Sequence, residues 1–337
     1  MKLSLPNREK QEELKSENKP MNKKLAALAV VGTAGILVKE AVHGYFDVMG
    51  RESKYKSLIG YIVAKSENDG PNEFLEFNRS KLEWIKKQNS EKITIKSHRN
   101  KKLVGYLTLP AEKSNIFVVF AHGHHTDHNG DPANFLQYYV EKGYNFLAMD
   151  HVSCGESDGL FTGFDYFEHK DCLLWIDYLI SRFGENIKII LHGVSMGGAT
   201  TCKMVDSVPE QVKLAVADCP YTSATEEFAE TVKGVGIKNP MPLVKAFNAV
   251  NKVLAGYDLN DTEVRSSVSN AKVPMLFVHG DNDGLVPTAM GIELYEICSS
   301  PKELFIVSGA GHAESIRIDE TGYHKKLDEF INTYLGD

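Results

Sequence analysis

The sequence predicts an α/β fold with a doubly wound, mostly parallel sheet and a helical cap insertion. Three observations support this prediction: continuous apolar runs of strand length, helical stretches between them, and one long interruption of the alternation. Continuous apolar runs are typical of parallel strands buried on both faces, and alternating strands and helices predict helices on both sides of the sheet. The composition, 42% hydrophobic and 25% charged over 337 residues, is that of a globular protein with a sizeable core.

The first 50 residues differ in composition from the rest of the chain. A polar stretch of mixed charge, residues 1–24, precedes Leu25–Val38, which carries no charged residue. A helix of that run spans about 21 Å, short of the hydrocarbon core of about 30 Å, but continuation to Phe46 makes it long enough. Two interpretations stay open: an uncleaved membrane anchor over residues 25–46, which the sequence slightly favours, and a buried packing helix.

The cellular location is not fixed by these features. Basic residues are more numerous before the apolar run than after it, which favours a membrane-anchored protein with its catalytic domain outside. Five scattered cysteines without a Cys-x-x-Cys pair instead favour reduced thiols in the cytoplasm. The net charge of −7 and the lack of a basic stripe argue against a nucleic-acid partner, and the oligomeric state is not indicated.

Hydrophobic periodicity sets the order of the elements. Residues 51–91 are expected to form a polar-rich helical lead-in to the main domain, residues 92–337. Lys92–Ser97 and Leu103–Leu109 alternate apolar and polar positions, which predicts an antiparallel pair. Further strands are predicted at Ile116–Ala121, Tyr144–Met149, Ile187–Leu191, Leu214–Ala217, Met275–Val278 and Leu304–Val307. Helices are expected at Phe135–Glu141, Tyr166–Phe183, after Ser195, at Thr288–Cys298 and at Tyr323–Leu335.

Residues 222–272 interrupt this alternation. Apolar side chains recur there at helical spacing, and Asn239–Pro242 forms a proline-rich break. The segment therefore predicts two or three helices. Its apolar content favours a cap over a functional site rather than a plain surface insertion.

The first chemical motif is centred on Ser195. Gly193-Val194-Ser195-Met196-Gly197 follows a predicted strand and precedes a predicted helix. Gly-x-Ser-x-Gly in that context is typical of a nucleophile elbow, in which a sharp turn presents the serine hydroxyl at the end of the sheet. The helix N-terminus behind it favours developing negative charge.

A carboxylate and a histidine follow on the loops after two later strands. Asp281 and Asp283 both follow the strand ending at Val278, where an acid can orient a catalytic base. His312 lies in a glycine loop, Gly309-Ala310-Gly311-His312, after the last strand. A histidine in such a loop can serve as general base for Ser195.

The order Ser195, acid, His312 is the order found in α/β-hydrolases. Residues 92–335 resemble that superfamily, close to its bacterial serine-aminopeptidase-like and esterase/lipase-like members. The resemblance implies an α/β-hydrolase fold and a serine hydrolase that needs no cofactor and no metal. It favours Asp283 as the acid, because His279-Gly280-x-x-Asp283-x-x-Val286-Pro287 matches a pattern common in these hydrolases, and leaves Asp281 as a turn or capping residue.

The resemblance also implies an oxyanion hole after the strand Ile116–Ala121. The backbone N–H groups of His124 and Met196 are the expected donors. His122 is expected to be structural, and Asp150 with Gly155-x-Ser157 to support the scaffold.

The expected reaction is cleavage of a small-molecule acyl substrate through an acyl-enzyme, with a carboxylic ester as the leading class. Peptide or amide and thioester substrates on the same triad stay open, since the fold hosts many activities. Two hypotheses of a different kind are less favoured. One is a catalytic metal held by His122, His124, Asp127 and His128, whose spacing is one residue too long for a metallo-β-lactamase-type site. The second is a non-catalytic binding module, which the occupied triad positions disfavour.

Overall fold

Eight strands form one mostly parallel sheet in the described part of the chain, which in this computed structural model comprises residues 42–51, 81–234 and 236–335. The order across the sheet is β1-β2-β4-β3-β5-β6-β7-β8. β2 pairs antiparallel with β1 and β4, and all other neighbours are parallel. The strands are β1 (Glu91–Lys96), β2 (Lys102–Thr108), β3 (Ile116–Ala121), β4 (Asn145–Met149), β5 (Lys188–Val194), β6 (Val212–Asp218), β7 (Met275–Gly280) and β8 (Lys302–Val307).

This topology confirms the predicted fold class, and the burial of the central strands shows why the apolar runs were informative. Every residue of β4 and β7 is buried, and so is every residue of β3 after Ile116. Alternate residues of β3 enter opposite cores: Phe117 packs on one face of the sheet and Phe120 on the other.

Helices cover both faces. Trp175, Ala199 and Leu294 of three helices pack in the same core as Phe117, whereas Phe135 and Phe330 of two others pack with Phe120. The helices are α1 (Asp131–Glu141), α2 (Glu168–Phe183), α3 (Met196–Met204), α4 (Ala224–Gly234), α5 (Met241–Leu254), α6 (Arg265–Ser269), α7 (Thr288–Ile297), α8 (Ser315–Ile318) and α9 (Glu320–Leu335).

The insertion predicted at residues 222–272 contains α4, α5, a 3₁₀ turn at Leu259–Thr262 and α6. Helix α5 buries Val244 and Asn251, and Phe247 of the same face packs against Phe228 of α4, with ring centroids 5.2 Å apart. One amphipathic face therefore joins the two longer helices of the insertion to each other.

The chain divides into two compact units between His43 and Gly44. In the first unit, residues 42 and 43 are described and are helical, so the predicted apolar run Leu25–Val38 lies outside the described residues. In the second unit, residues 44–49 and 81–85 are helical before the sheet begins. Within the described residues, no helix is long and apolar enough to cross a membrane.

Candidate active site

Ser195 stands at the turn between β5 and α3. Its φ of +56° lies in the left-handed region, where a non-glycine residue is strained. The flanking glycines allow this turn: a Cβ on Gly193 would lie 2.0 Å from the carbonyl oxygen of Gly197, and one on Gly197 would lie 1.9 Å from that of Ala121. The N–H of Ser195 donates to the carbonyl of Asp218 at 2.8 Å, which fixes the elbow to β6.

The structure brings Ser195, His312 and Asp283 into one hydrogen-bonded chain. Nε2 of His312 lies 2.8 Å from Oγ of Ser195, and Nδ1 of His312 lies 2.8 Å from Oδ2 of Asp283. Because a carboxylate can only accept, Nδ1 carries the proton and Nε2 is left to accept from the serine hydroxyl. This is the tautomer that a general base for Ser195 requires.

Asp283 is held as an ionised acceptor. Its Oδ1 accepts the N–H groups of Leu285 at 3.0 Å and Val286 at 2.9 Å, and its Oδ2 lies 3.3 Å from Nε2 of His279. Burial by itself raises the pKa of this carboxyl, but the charge of His312 and hydrogen bonds from both histidines hold it well below its usual range.

Asp281 has a different position from Asp283. Its Oδ2 accepts the hydroxyl of Ser308 at 2.9 Å and its Oδ1 accepts the N–H of Gly309 at 2.6 Å. Asp281 therefore fastens the start of the loop that carries His312 and does not contact the imidazole.

Burial and nearby groups act on His312 in opposite directions. Burial alone lowers the pKa of His312, whereas the charge of Asp283 and hydrogen bonds with Asp283 and Cys219 raise it well above its usual range. The contact with the Asp283 carboxylate stabilises the imidazolium form of His312, which arises when the serine gives up its proton.

The side chain of Cys219 lies next to Asp283 and His312 of the hydrogen-bonded chain. It follows β6 with φ +42°, and its N–H donates to the carbonyl of Val278 at 2.8 Å. The side chain is buried, and burial raises the pKa of the thiol to about 12. At neutral pH Cys219 is consequently a neutral thiol next to His312.

The peptide between Gly123 and His124 has a defined orientation. Nε2 of His122 accepts the N–H of His151 at 3.0 Å, so Nδ1 carries the proton and donates to the carbonyl of Gly123 at 2.7 Å. Since the carbonyl and N–H of a trans peptide point in opposite directions, this bond also sets the direction of the His124 N–H. Met196 is the first residue of α3, where a backbone N–H has no acceptor within the helix.

Two further contacts hold the same loop. Oδ2 of Asp131, at the start of α1, accepts the N–H of Gly123 at 2.7 Å, and burial raises the pKa of that carboxyl. Nε2 of His124 donates to the carbonyl of Val48 at 2.7 Å. The loop is thus fixed through its backbone on one side and through an imidazole on the other.

The less favoured hypothesis of a metal site on the histidine-rich loop concerned His122, His124, Asp127 and His128. His124 bonds to Val48, His122 bonds to backbone groups, and His128 places Nδ1 2.9 Å from Oδ1 of Asp150. Within the described part of the chain, these side chains do not converge on a common point. Asp150 also accepts the N–H of Glu156, in keeping with the scaffold role expected for this region.

Three residues of the site had no assigned role in the sequence analysis: Asp131, Cys219 and His279. Cys219 directly follows β6 and His279 is the penultimate residue of β7, which places both at the carboxyl edge of the sheet. Neither position alone indicates a contact with Asp283 or His312. Asp131 is marked only by Pro132 at the start of a helix, a common arrangement without functional meaning.

Comparisons with known proteins agree with this architecture. The serine aminopeptidase family S33 matches residues 112–256, which include Ser195, and a serine hydrolase family (FSH1) matches residues 252–313, which include Asp283 and His312. The Bacillus subtilis protein YqkD is 23% identical over 279 residues, covering 82% of this chain and 91% of its own.

Solved structures with the same fold include an esterase and a peptidase. The Pyrococcus furiosus esterase Pf2001 has a TM-score of 0.61 and 23% identity, covering 74% of this chain and 92% of its own. The Pyrococcus horikoshii acylaminoacyl peptidase has a TM-score of 0.54 and 17% identity, covering 74% of this chain and 42% of its own. This chain is therefore a hydrolase with the α/β-hydrolase fold, and it resembles the serine aminopeptidase and serine hydrolase families over the segments that carry the candidate site.

Proposed function

We propose that the protein hydrolyses carboxylic esters through an acyl-enzyme formed on Ser195. The observation that supports this most strongly is the continuous chain from Ser195 Oγ through His312 to Asp283, with both links at 2.8 Å. A nucleophile, a base within hydrogen-bond reach and a group that orients the base are the parts that acyl transfer requires.

Acylation begins when Nε2 of His312 takes the proton of Ser195 as Oγ attacks the substrate carbonyl carbon. The tetrahedral oxyanion accepts hydrogen bonds from the backbone N–H groups of His124 and Met196, which form the proposed oxyanion hole. His312, now an imidazolium paired with Asp283, gives its proton to the departing alcohol. The acyl group remains as an ester on Ser195.

Deacylation reverses the roles of the participants. His312 removes a proton from water, the resulting hydroxide attacks the acyl carbon, and the same two N–H groups stabilise the second oxyanion. Collapse returns the proton to Ser195 and releases a carboxylic acid. Apart from substrate and water, the proposed steps use Ser195, His312, Asp283 and the two backbone N–H groups.

Aromatic side chains connect the proposed oxyanion loop to the insertion. The ring of Phe164 lies 4.7 Å from that of His124 and 4.8 Å from that of Phe228, and Phe228 in turn packs against Phe247 of α5. Phe164 is buried, so these rings pack the insertion against the loop. The insertion's place beside the proposed oxyanion loop supports its role as a cap over the substrate, and the apolar side chains around that loop support an ester with an apolar acyl part.

A panel of substrates tests the proposal. Purified wild type, Ser195→Ala and the exposed control Ser207→Ala are assayed on p-nitrophenyl esters of increasing acyl length, matched thioesters and aminoacyl amides. Ester turnover is expected to lead in wild type and Ser207→Ala and to vanish in Ser195→Ala. Faster turnover of amides or thioesters would reassign the substrate class, and full activity of Ser195→Ala would reject the triad.

A further inference from the structure

The thiol of Cys219 lies beside Asp283 and His312 of the candidate site. Together the three side chains offer the kinds of ligand atom that bind a metal ion. One ligand atom each from Cys219, Asp283 and His312 lies within 4.8 Å of the other two. Sulfur, imidazole nitrogen and carboxylate oxygen are the donor atoms that Zn²⁺ prefers in proteins.

The spacing is close to that of a coordinated ion. Ligand atoms around a tetrahedral zinc, at bond lengths of about 2.0–2.3 Å, lie roughly 3.3–3.6 Å apart. Atoms within 4.8 Å of one another reach that arrangement by shifts of about an ångström. Cys219 cannot easily turn away, because its side chain is 1% exposed and its backbone is fixed by the bond to Val278.

Access is available from the side of the histidine. The side chain of His312 is 18% exposed, whereas that of Asp283 is fully buried. An ion reaching this corner meets His312 first. Bound on the Asp283 side of the imidazole, it leaves one coordination position for water, as in zinc sites with three protein ligands.

We propose that Cys219, Asp283 and His312 form an inhibitory site for a soft divalent metal ion such as Zn²⁺. On binding, the sulfur of Cys219 loses its proton to solvent, and the proton on Nδ1 of His312 moves to Nε2. Nδ1 and a carboxylate oxygen of Asp283 then donate lone pairs to the metal, and Nε2 is protonated. His312 can then no longer accept the proton of Ser195, so the triad is disabled. Metal binding at this site does not depend on the proposed ester hydrolysis. Only the measurement of inhibition rests on that proposed function.

The test uses Zn²⁺ for inhibition and Cd²⁺ for direct binding. Cd²⁺ bound to a thiolate gives an ultraviolet charge-transfer band, which can be followed in wild type and in the inactive Ser195→Ala variant. The variants are Cys219→Ala, Cys219→Ser and, as the matched control, Cys298→Ala, which removes another buried thiol at the end of α7. Ester hydrolysis is titrated with Zn²⁺ before and after addition of EDTA.

Zn²⁺ is expected to inhibit wild type and Cys298→Ala alike, with full recovery in EDTA. Both Cys219 variants should need at least about 100-fold more Zn²⁺, since loss of a ligand exceeds the 10–100-fold effect of changes around a metal site. The Cd²⁺ band should appear in wild type and Ser195→Ala and disappear in Cys219→Ser.

Unchanged Zn²⁺ sensitivity in a folded Cys219 variant, or a Cd²⁺ band that survives loss of Cys219, would overturn the proposal. If the protein hydrolyses no ester, the Cd²⁺ titration of Ser195→Ala still decides the metal site. Failure of the metal site and failure of the proposed function are therefore separate results.

Discussion

At the scale of single residues, the two aspartates of the loop after β7 have the same side chain but make different contacts. Asp283 accepts two backbone N–H groups with one oxygen and contacts two histidines with the other. Asp281 instead bonds to Ser308 and Gly309. Asp283 thus acts on the proposed base directly, and Asp281 acts only on the loop that carries it.

This difference predicts unequal effects of two matched substitutions. Asp283→Asn should lower kcat by up to about four decades, because an amide at that position favours the wrong tautomer of His312. Asp281→Asn, which keeps an oxygen acceptor in the loop, should lower kcat less than about tenfold. Steady-state kinetics on one ester measures both, and the reverse ranking would make Asp281 the orienting acid.

The same contacts predict the pH dependence of the reaction. Only neutral His312 can accept the proton of Ser195, and its pKa lies well above the ordinary 6.5. As pH falls through that raised pKa, kcat/KM should fall with it, so the acidic limb should lie above pH 6.5. In Asp283→Asn the residual activity should show this limb at lower pH, since the charge that raises the pKa is gone. A limb at the same pH in both proteins would contradict this assignment.

The hydrogen-bonded chain of Ser195, His312 and Asp283 was predictable from sequence because each of the three residues follows a strand and lies in a recognisable motif. Cys219 was not, because its approach to His312 depends on a left-handed backbone turn after β6 that the sequence does not signal. The contact between Val48 and His124 is likewise a tertiary pairing of residues far apart in the chain.

At the scale of elements, strands were predicted more closely than helices. The apolar runs overlap β3 to β8. Both faces of β3 to β7 are buried, whereas β8, at the end of the sheet, is mostly half-buried. Helix α1 begins at Asp131, ahead of the expected Phe135, since Pro132 is compatible with a first turn. The short helices α6 and α8 have too few residues to show a period in the sequence.

Helix α7 supports the acid through a close approach to His279. A Cβ added to Gly291 would lie 2.4 Å from Nδ1 of the buried His279, whereas one added to Gly234, at the end of α4, meets nothing within 4 Å. Gly291→Ala should therefore lower the free energy of unfolding by about 1–3 kcal/mol through overpacking, and it should lower kcat by displacing His279 from Asp283.

The helical control Gly234→Ala should change stability by no more than about 1 kcal/mol, in the stabilising direction, because alanine has the higher helix propensity. Urea denaturation and ester kinetics measure both variants. Equal stability of the two variants would show that α7 does not constrain His279.

At the scale of the whole molecule, the segment after His43 belongs to the larger compact unit. Tyr45 is fully buried, and its hydroxyl donates to Oδ1 of Asn251 in α5 at 2.9 Å. Together with the bond from His124 to Val48, this ties residues 44–50 to both the insertion and the proposed oxyanion loop. The sequence placed an N-terminal boundary at residue 50, and no apolar pattern distinguished these few residues from the run before them.

Two truncations separate the contributions of the N-terminal residues. Deletion of residues 1–43 should leave kcat/KM of the catalytic unit unchanged, whereas deletion of residues 1–50 should cost more than about 3 kcal/mol of unfolding free energy because buried Tyr45 and Met49 are lost. The expected anchor over residues 25–46 is wrong at its end, because Tyr45 is buried in the larger unit and bonded to Asn251. An anchor within residues 25–43 predicts that the full chain sediments with membranes after a high-salt wash and that the shorter deletion does not. Equal stability of the two truncated proteins would contradict the stabilising role of residues 44–50. A full chain that stays soluble would contradict the membrane anchor.

The assignment of Ser195 as the nucleophile is tested most directly by locating the adduct of a fluorophosphonate probe. Intact-mass and peptide mass spectrometry of labelled wild type should show one adduct per chain, on the peptide that contains Ser195, with labelling lost in Ser195→Ala and strongly slowed in His312→Gln. An adduct on another residue, or undiminished labelling of Ser195→Ala, would contradict the proposed serine hydrolase mechanism.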